Sequence, residues 1–284
     1  MKCRAEILKN VDSVPPIPVV AVRMARLLGD PEVSLDQLGE TMKYDPALTA
    51  KVLRLANSTC FASSRTVATI KDAMVRLGIS PVARMVIVSS VQPVLNGSLD
   101  GYGLEAGELW RHSVAVGLAA VNLKEVLGSD SEDGVVFTAG LLHDIGKLVI
   151  GSFIDRYFKL IQEKTDQEGI SFVTAEKEVL GIDHTELGSA VLEQWSFPPE
   201  LVTVVKWHHE PDRATEHQNL ADLVHLADVI SMMMGIGLGS DGLQYIPSSD
   251  SMSRLGLKKE TLELVACRTV GAVEEIMEMF ENSK

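Results

Sequence analysis

Polar side chains interrupt the most apolar stretches of this sequence at a few points, which restricts the folds that the chain can adopt. His143 and Asp144 lie between the apolar run 135–142 and the mostly apolar run 145–150, and Asp228 lies within the apolar run 223–230. A buried imidazole or carboxylate without a partner costs too much free energy to persist. The chain must therefore fold so that these side chains meet each other, a hydrogen-bond partner or a metal ion.

Six histidine and aspartate residues of this kind form the candidate metal-ligand set. They are His112, His143, Asp144, His184, His208 and Asp228. Each has an ordinary structural explanation when taken alone: His112 could be a hydrogen-bonded core histidine, and Asp228 could pair with an arginine. Several polar residues within apolar stretches of one chain favour a shared metal site over a separate explanation for each residue.

Helical periodicity distinguishes the adjacent histidines His208 and His209. At 100° per residue, His208 lies roughly 20° from Leu201 around a helix, whereas His209 lies roughly 80° away. This predicts that His208 is the inward ligand and leaves His209 as the alternative ligand.

His184 is expected to begin a helix. Asp183 can cap the first turn, and Glu186 completes the capping-box pattern. A helix start can aim the His184 ring across a cleft, and a surface position in the first turn is the alternative.

Two further residues extend the candidate site. Glu108 lies four residues before His112, so both can project from one helix face and share a metal; a solvated acid near a helix start is the alternative. Lys147 follows Asp144 by three residues and is predicted to contact a phosphate bound at the metals, although a lysine reaching the surface has the same sequence signature.

The charge of such a site predicts what it attracts. Two divalent ions carry +4, Asp144 and Asp228 remove 2, and neutral imidazoles remove none, so a surplus of about +2 attracts hydroxide and phosphate. Binding by Glu108 would lower that surplus. Nitrogen and oxygen ligands without thiolate suit one or two ions of iron, manganese, cobalt, nickel or zinc.

Composition limits the other functional classes. The chain has 284 residues, 46% of them hydrophobic, and a net charge of −13, so it can bury a large core and is poorly suited to nucleic-acid phosphates. Its three cysteines are scattered, which fits a reducing cytoplasm. The N-terminus lacks the apolar run of a signal peptide, and no 18-residue apolar run occurs, so we expect a cytoplasmic protein without membrane spans.

Residues that typically begin and end helices are frequent, and the alternation of apolar and polar residues typical of strands is essentially absent. The sequence therefore predicts an all-α fold. Helix starts are expected at Ser34, Asp45, Thr69 and Ser80, and Gly78 is expected to end the third of these helices. A last amphipathic helix carries apolar residues from Leu262 to Phe280 on one face. Low-apolar stretches divide the chain into predicted ranges 1–100, 101–235 and 236–284.

Several short motifs in order resemble the HDOD family, the HD-related output domain of bacterial signalling proteins. They are VPPIP at 14–18, DPALT at 45–49, LRLANS at 53–58, IKDAMVRLG at 70–78 and WSFPPE at 195–200. The resemblance spans roughly residues 7–235. It implies an N-terminal helical lobe packed on an HD-like helical lobe, a role in bacterial signal transduction and a signalling protein as partner.

The histidine and aspartate set goes beyond that resemblance. HDOD proteins commonly lack several HD metal ligands, whereas this chain keeps all six and is similar in that respect to HD phosphohydrolases and HD-GYP phosphodiesterases, whose signature includes residues placed like Lys147 and Glu108. The Gly-Tyr-Pro loop is replaced by residues 211–214. Two functions follow as expectations: a signalling output with a regulatory or sensory metal centre, and a phosphohydrolase acting on a nucleotide phosphate.

Overall fold

The computed structural model describes residues 2–11, 14–28, 34–42, 45–57, 66–129, 131–241 and 247–281. Within these ranges there is no β-strand, only one isolated bridge between Leu99 and Leu104, which confirms the expected all-α fold. The α-helices of the described ranges are α1 Lys2–Leu8, α2 Val19–Leu28, α3 Leu35–Met42, α4 Pro46–Ala56, α5 Ile70–Leu77, α6 Ile79–Leu95, α7 Glu108–Leu127, α8 Asp133–Leu142, α9 Lys147–Glu168, α10 Phe172–Leu180, α11 His184–Gln194, α12 Pro199–Trp207, α13 Gln218–Met233, α14 Ser249–Arg254 and α15 Lys259–Glu281.

Side-chain caps set three of the expected helix starts. Asp45 and Thr69 accept backbone N–H groups of the first turns of α4 and α5. At α3, the Gln37 N–H donates to Ser34 Oγ at 3.2 Å, and the Ser34 N–H donates to Gln37 Oε1 at 2.7 Å. This reciprocal pair is the predicted capping box.

The expected cap of α6 at Ser80 is wrong by two residues. Gly78, with φ of 91°, ends α5 and also precedes Ile79, the first residue of α6. A glycine adopts this left-handed backbone without the strain that a side chain would cause, so a single residue makes the turn and Ser80 lies inside the helix.

Two central helices organise the packing. In the N-terminal part, α6 contacts α2, α4 and α5, and α2 and α6 both lie against α8. In the remainder, α7 is surrounded by α8, α13 and α15. The division at residue 100 stays a prediction, and α1 packs against α9, which belongs to the predicted range 101–235.

The predicted last helix is confirmed as α15. Leu262, Val265, Val273 and Phe280 are buried in the core, and Ala266, Ile276 and Met277 pack against it. The apolar face therefore covers α7 and α13.

One stretch of the described chain, Asp133–Glu168, is long and apolar enough to cross a membrane by composition alone. In this structure 89% of its most apolar window is buried inside the protein. The stretch is also interrupted between α8 and α9 by a turn at residues 143–146, so its apolar side chains belong to the core.

Glycines bring α7 and α8 into close contact near the candidate site. A Cβ atom added at Gly140 would lie 2.7 Å from Gly117 Cα, and one added at Gly117 would lie 2.9 Å from the Phe137 carbonyl oxygen. Both distances are shorter than real contacts, so only glycine permits this approach. The close contact brings His112 on α7 next to His143, which follows α8.

Candidate metal centre

Asp144 lies at the centre of the candidate site, in the buried turn between α8 and α9. Asp144 belongs to two groups of donor atoms, and within each group the atoms lie within 4.8 Å of one another. The first group is His112, His143 and Asp144, and the second is Asp144, His184, His208 and His209. These histidine and aspartate groups could hold a metal ion.

Asp228 on α13 lies beside the first group. Its Oδ1 is 3.2 Å from His112 Nε2 and 3.7 Å from His143 Nε2. The structure thus brings together all six candidate ligands around one carboxylate, and the first group gains a second acid.

Hydrogen bonds through Nδ1 fix the orientation of four imidazoles. His143 Nδ1 lies 2.7 Å from the Gly140 carbonyl oxygen and His208 Nδ1 lies 2.8 Å from that of Val205. Carbonyl oxygens only accept, so each Nδ1 carries the hydrogen and each Nε2 keeps its lone pair. The Nε2 atoms lie 3.3 Å and 3.9 Å from Asp144 oxygens.

His112 and His184 are held in the same way. His112 Nδ1 donates to the Ile236 carbonyl oxygen at 3.1 Å, and His184 Nδ1 lies 2.9 Å from Glu176 Oε2. Metal-binding histidines in proteins are held by this kind of bond from the second ring nitrogen. The arrangement therefore directs four Nε2 atoms towards the centre of the site.

Three buried polar atoms at the centre show that the residues fit a metal ion. His143 Nε2, His208 Nε2 and Asp144 Oδ1 have no hydrogen-bond partner in the described part of the chain. Buried acceptors are normally satisfied, and an exception calls for an unseen partner. All three offer lone pairs, so the partner that suits them is a cation.

The two acids of the site are ionised. Burial alone would raise the pKa of Asp144, but His143 and Lys147 hold it well below its ordinary value. Burial likewise opposes ionisation of Asp228, yet the hydrogen bond from His112 lowers its pKa to about 2. Both carboxylates therefore carry the negative charge that metal binding requires.

Lys147 is buried and does not reach the surface. Its Nζ lies 2.7 Å from Asp144 Oδ2 and 2.6 Å from Asp241 Oδ2, and 5.2 Å from the centre of the Tyr102 ring. Burial would lower the lysine pKa, but the two carboxylates raise it. The predicted phosphate contact thus meets a structural obstacle, because the ammonium group already has two acidic partners.

Glu108 does not join the site, so its prediction as a ligand needs correction. Its side chain is exposed, and its Oε2 accepts the Glu105 N–H at 2.7 Å. Because Glu108 is the first residue of α7, its side chain reaches back to a free backbone N–H rather than along the helix towards His112.

His209 reaches the site although the helical-stripe argument set it aside. Helix α12 ends at Trp207, and both histidines lie on the turn that follows it. His209 Nε2 lies 3.1 Å from His184 Nε2. The preference for His208 over His209 as a ligand stays a prediction.

The predicted helix start at His184 is confirmed. Asp183 accepts the Glu186 N–H at 2.8 Å, and α11 begins at His184, whose side chain is fully buried. A Cβ atom added at Gly146 would lie 1.9 Å from the His184 carbonyl oxygen, so the turn that carries Asp144 packs directly on the start of α11.

Glu176, Tyr102 and Asp241 support the site and were not identified from the sequence. Glu176 on α10 is fully buried, accepts the backbone N–H of His184 at 3.0 Å and the Tyr102 hydroxyl at 2.6 Å. Its spacing of four from Phe172 and Leu180 places it on the apolar face of the helix, and this signal could have revealed it. Asp241 follows an irregular glycine-containing segment, which carries no such signal.

The comparison with family models agrees with the motifs. The model of the HDOD domain matches residues 14–211. The chain belongs to the HDOD family. This finding supports the all-α arrangement described above and assigns no reaction to it.

Individual relatives share the sequence or the fold. A Treponema pallidum (strain Nichols) protein described as uncharacterized is 24% identical over 249 residues, covering 87% of this chain and 47% of that protein. This HDOD chain therefore spans about half the length of that relative. A candidate signal transduction protein from Marinobacter aquaeolei VT8 has a TM-score of 0.72 at 25% identity, covering 94% of this chain and 59% of that one. A candidate phosphohydrolase from Shewanella amazonensis SB2B has a TM-score of 0.67 at 26% identity, covering 97% of both chains.

Proposed function

We propose that this HDOD protein is a signal-transduction output whose two-metal centre has a regulatory role. The observation that carries the proposal is the pair of donor groups that share Asp144. His112, His143 and Asp228 would hold one ion with Asp144, and His184, His208 and His209 would hold the other. Such donors suit iron, manganese, cobalt, nickel or zinc.

The segment 236–241 supports a regulatory role. The Ile236 carbonyl oxygen accepts His112 Nδ1, and Asp241 shares the ammonium group of Lys147 with Asp144. One short segment is therefore bonded to the candidate ligand His112 and to Lys147, which contacts the candidate ligand Asp144. A metal ion bound to Asp144 would neutralise part of its charge and weaken its attraction for the Lys147 ammonium group. Lys147 would then bind Asp241 more strongly, and this gives a physical route from metal loading to the segment.

The second candidate function is phosphoester hydrolysis. Two metal sites bridged by a carboxylate occur in phosphatases and nucleases, where the ions polarise phosphate oxygens and lower the pKa of water. The Shewanella amazonensis relative described as a candidate phosphohydrolase agrees with this alternative. Against it, Lys147 is engaged by two carboxylates and the Gly-Tyr-Pro loop is replaced.

Metal content of protein purified without chelator tests the centre. We expect two ions per chain, one lost in His112→Ala, one lost in His184→Ala and both lost or strongly weakened in Asp144→Asn. Asp155→Asn, an exposed position on α9, is the matched control and should keep both. Full stoichiometry in Asp144→Asn would contradict the shared-ligand assignment.

Two further measurements separate regulation from catalysis. Hydrogen exchange should show greater protection of residues 236–241 in the metal-loaded protein than in the stripped protein, with no change in that difference for Asp155→Asn. Equal exchange in both states would contradict the regulatory route. Rapid hydrolysis of nucleoside phosphates that disappears in Asp144→Asn would instead establish the second function.

A further inference from the structure

A polar cavity of about 350 Å³ lies beside the second donor group. His209, whose Nε2 lies next to that of His184, forms part of its wall. Three cationic side chains also line it: Lys177, Lys206 and Arg213. The cavity thus connects surface cations with the candidate metal centre.

The balance of charge in this cavity favours an anion. Its two acids already have partners: Asp183 accepts the Glu186 N–H at 2.8 Å and lies 3.2 Å from Lys177, and Glu210 lies 2.9 Å from Arg213. Lys177 and Arg213 are themselves the ion-pair partners of these two acids, so the cavity keeps one positive charge, that of Lys206, which has no ion pair within the described residues. Bound metal ions would add to the positive potential.

Lys206 is the cation most open to a ligand. Its side chain is exposed, it makes no ion pair within the described residues, and it lies 5.2 Å from the centre of the Trp207 ring. The ammonium group therefore keeps donors for a bound anion.

A helix start contributes a further donor surface. Ser171 caps α10 by accepting the Thr174 N–H, and both residues line the cavity. The start of a helix carries partial positive charge and unsatisfied N–H groups, which favour phosphate groups. The hydroxyls of Ser171 and Thr174 lie 2.8 Å apart and bond to each other, so one of the two hydroxyl hydrogens stays available at the same end.

We infer that this cavity binds the phosphate group of a small phosphate monoester, which acts as the signal ligand of the metal centre. The cations and the start of α10 would contact the phosphate, and His209 would place it beside the metal ions. The cavity volume falls at the lower end of the range for small-ligand sites, which suits a molecule of mononucleotide size. The inference rests on the proposed two-metal centre, whose presence is measured separately as metal content.

Isothermal titration of metal-loaded protein with adenosine monophosphate and with inorganic phosphate tests this inference. We expect both to bind, the ester at least as tightly as free phosphate. The double variant Lys206→Gln/Arg213→Gln should weaken both by about tenfold or more, since it removes two charge-assisted contacts, and it should keep its metal. Lys206→Gln alone, which changes only an exposed side chain, should also weaken the binding of both ligands.

The matched control is Arg156→Gln/Lys159→Gln, a pair of exposed cations on α9. It removes the same charge and should leave both affinities unchanged. Absence of binding to metal-loaded protein, wild-type affinity in the double variant, an equal loss in the control, or binding of free phosphate without the ester would each overturn the inference. None of these results would alter the metal content, so failure here is distinct from failure of the metal centre.

Discussion

Glu176 connects three groups around the second donor group. One carboxylate oxygen accepts both Nδ1 and the backbone N–H of His184, and the other accepts the Tyr102 hydroxyl. The ring of His184 therefore has a fixed direction and an electron-rich Nε2. We therefore expect Glu176, which is not itself a candidate ligand, to affect how tightly His184 binds a metal ion.

Glu176→Gln is expected to weaken metal binding at the second group by roughly 10- to 100-fold, the usual effect of losing such a partner. The amide keeps the shape of the side chain but not its charge, so the first group should retain its affinity. Titration against a competing chelator measures both affinities. Glu178→Gln, which changes an exposed acid paired with Lys164, is the control, and an equal loss there would contradict the assignment.

Two histidines give the metal-free protein opposite dependences on pH. The carboxylate of Glu176 outweighs burial and raises the pKa of His184 to about 9, so its contribution to stability is complete below the unfolded value of 6.5 and is lost as pH rises through 9. Burial and the neighbouring His143 lower the pKa of His208 to about 3. Its contribution is present above 6.5 and is lost as pH falls below that value.

We therefore expect the free energy of unfolding of the stripped protein to be greatest at about pH 6.5. On the acid side, His208 alone accounts for about 1.4 kcal/mol per pH unit. Urea unfolding at several pH values in the presence of a chelator measures the curve. His208→Gln should flatten its acid side, and an unchanged slope would show that other groups determine acid stability.

At the residue scale, sequence reasoning predicted the candidate ligands that the structure brings together, and it did not predict the residues that hold them in place. His112, His143 and Asp228 stood out because they interrupt apolar runs, and burial of polar groups follows directly from such patterns. No sequence pattern indicated Asp241, because its partner Lys147 lies 94 positions away in the chain. The prediction of Glu108 as a ligand was wrong because the backbone N–H groups at a helix start compete with a distant site for its side chain.

At the scale of elements, the turn between α8 and α9 positions the centre. Gly146 packs against the start of α11, where an added Cβ would also lie 2.6 Å from the Gly188 N. Because both neighbours are backbone atoms, neither can move without shifting α11. The close approach of Asp144 and His184 therefore depends on the absence of a side chain at position 146.

Gly146→Ala should destabilise the protein by about 1–3 kcal/mol, the usual cost of overpacking, and should empty the second metal position before the first. Thermal unfolding and metal analysis measure the two effects. Gly271→Ala in α15, where an added Cβ meets nothing within 4 Å, is the control and should stabilise by up to about 1 kcal/mol. Normal metal content in Gly146→Ala would show that α11 can adjust.

Helix boundaries followed from local chemistry where a side chain caps the helix. The starts at Ser34, Asp45, Thr69 and Asp183 were predictable because each cap bonds to an N–H two or three residues ahead. The start of α6 was not, because Gly78 serves two helices and its role depends on backbone conformation. The end of α12 at Trp207 has no such cap, and the sequence analysis did not predict it.

At the scale of the whole molecule, one buried apolar core extends from α2 to α15. Leu28 of α2 lies so close to Gly134 of α8 that an added Cβ there would be 2.5 Å from the Leu28 side chain. The family assignment and the order of the motifs were predictable from sequence. The way in which α2 and α6 cover α8 was not, because it depends on contacts between residues about 100 positions apart.

A fragment that begins at Glu105 tests whether the two parts fold independently. It lacks α1–α6 and so exposes the face of α8 that α2 and α6 now cover, together with the surroundings of the fully buried Phe137. Exposed apolar surface of this kind promotes association. We expect the fragment to elute as aggregates in size-exclusion chromatography and to bind a hydrophobic dye, whereas the full chain should not. A soluble, monomeric fragment that unfolds cooperatively would show two independent domains and would contradict the continuous core.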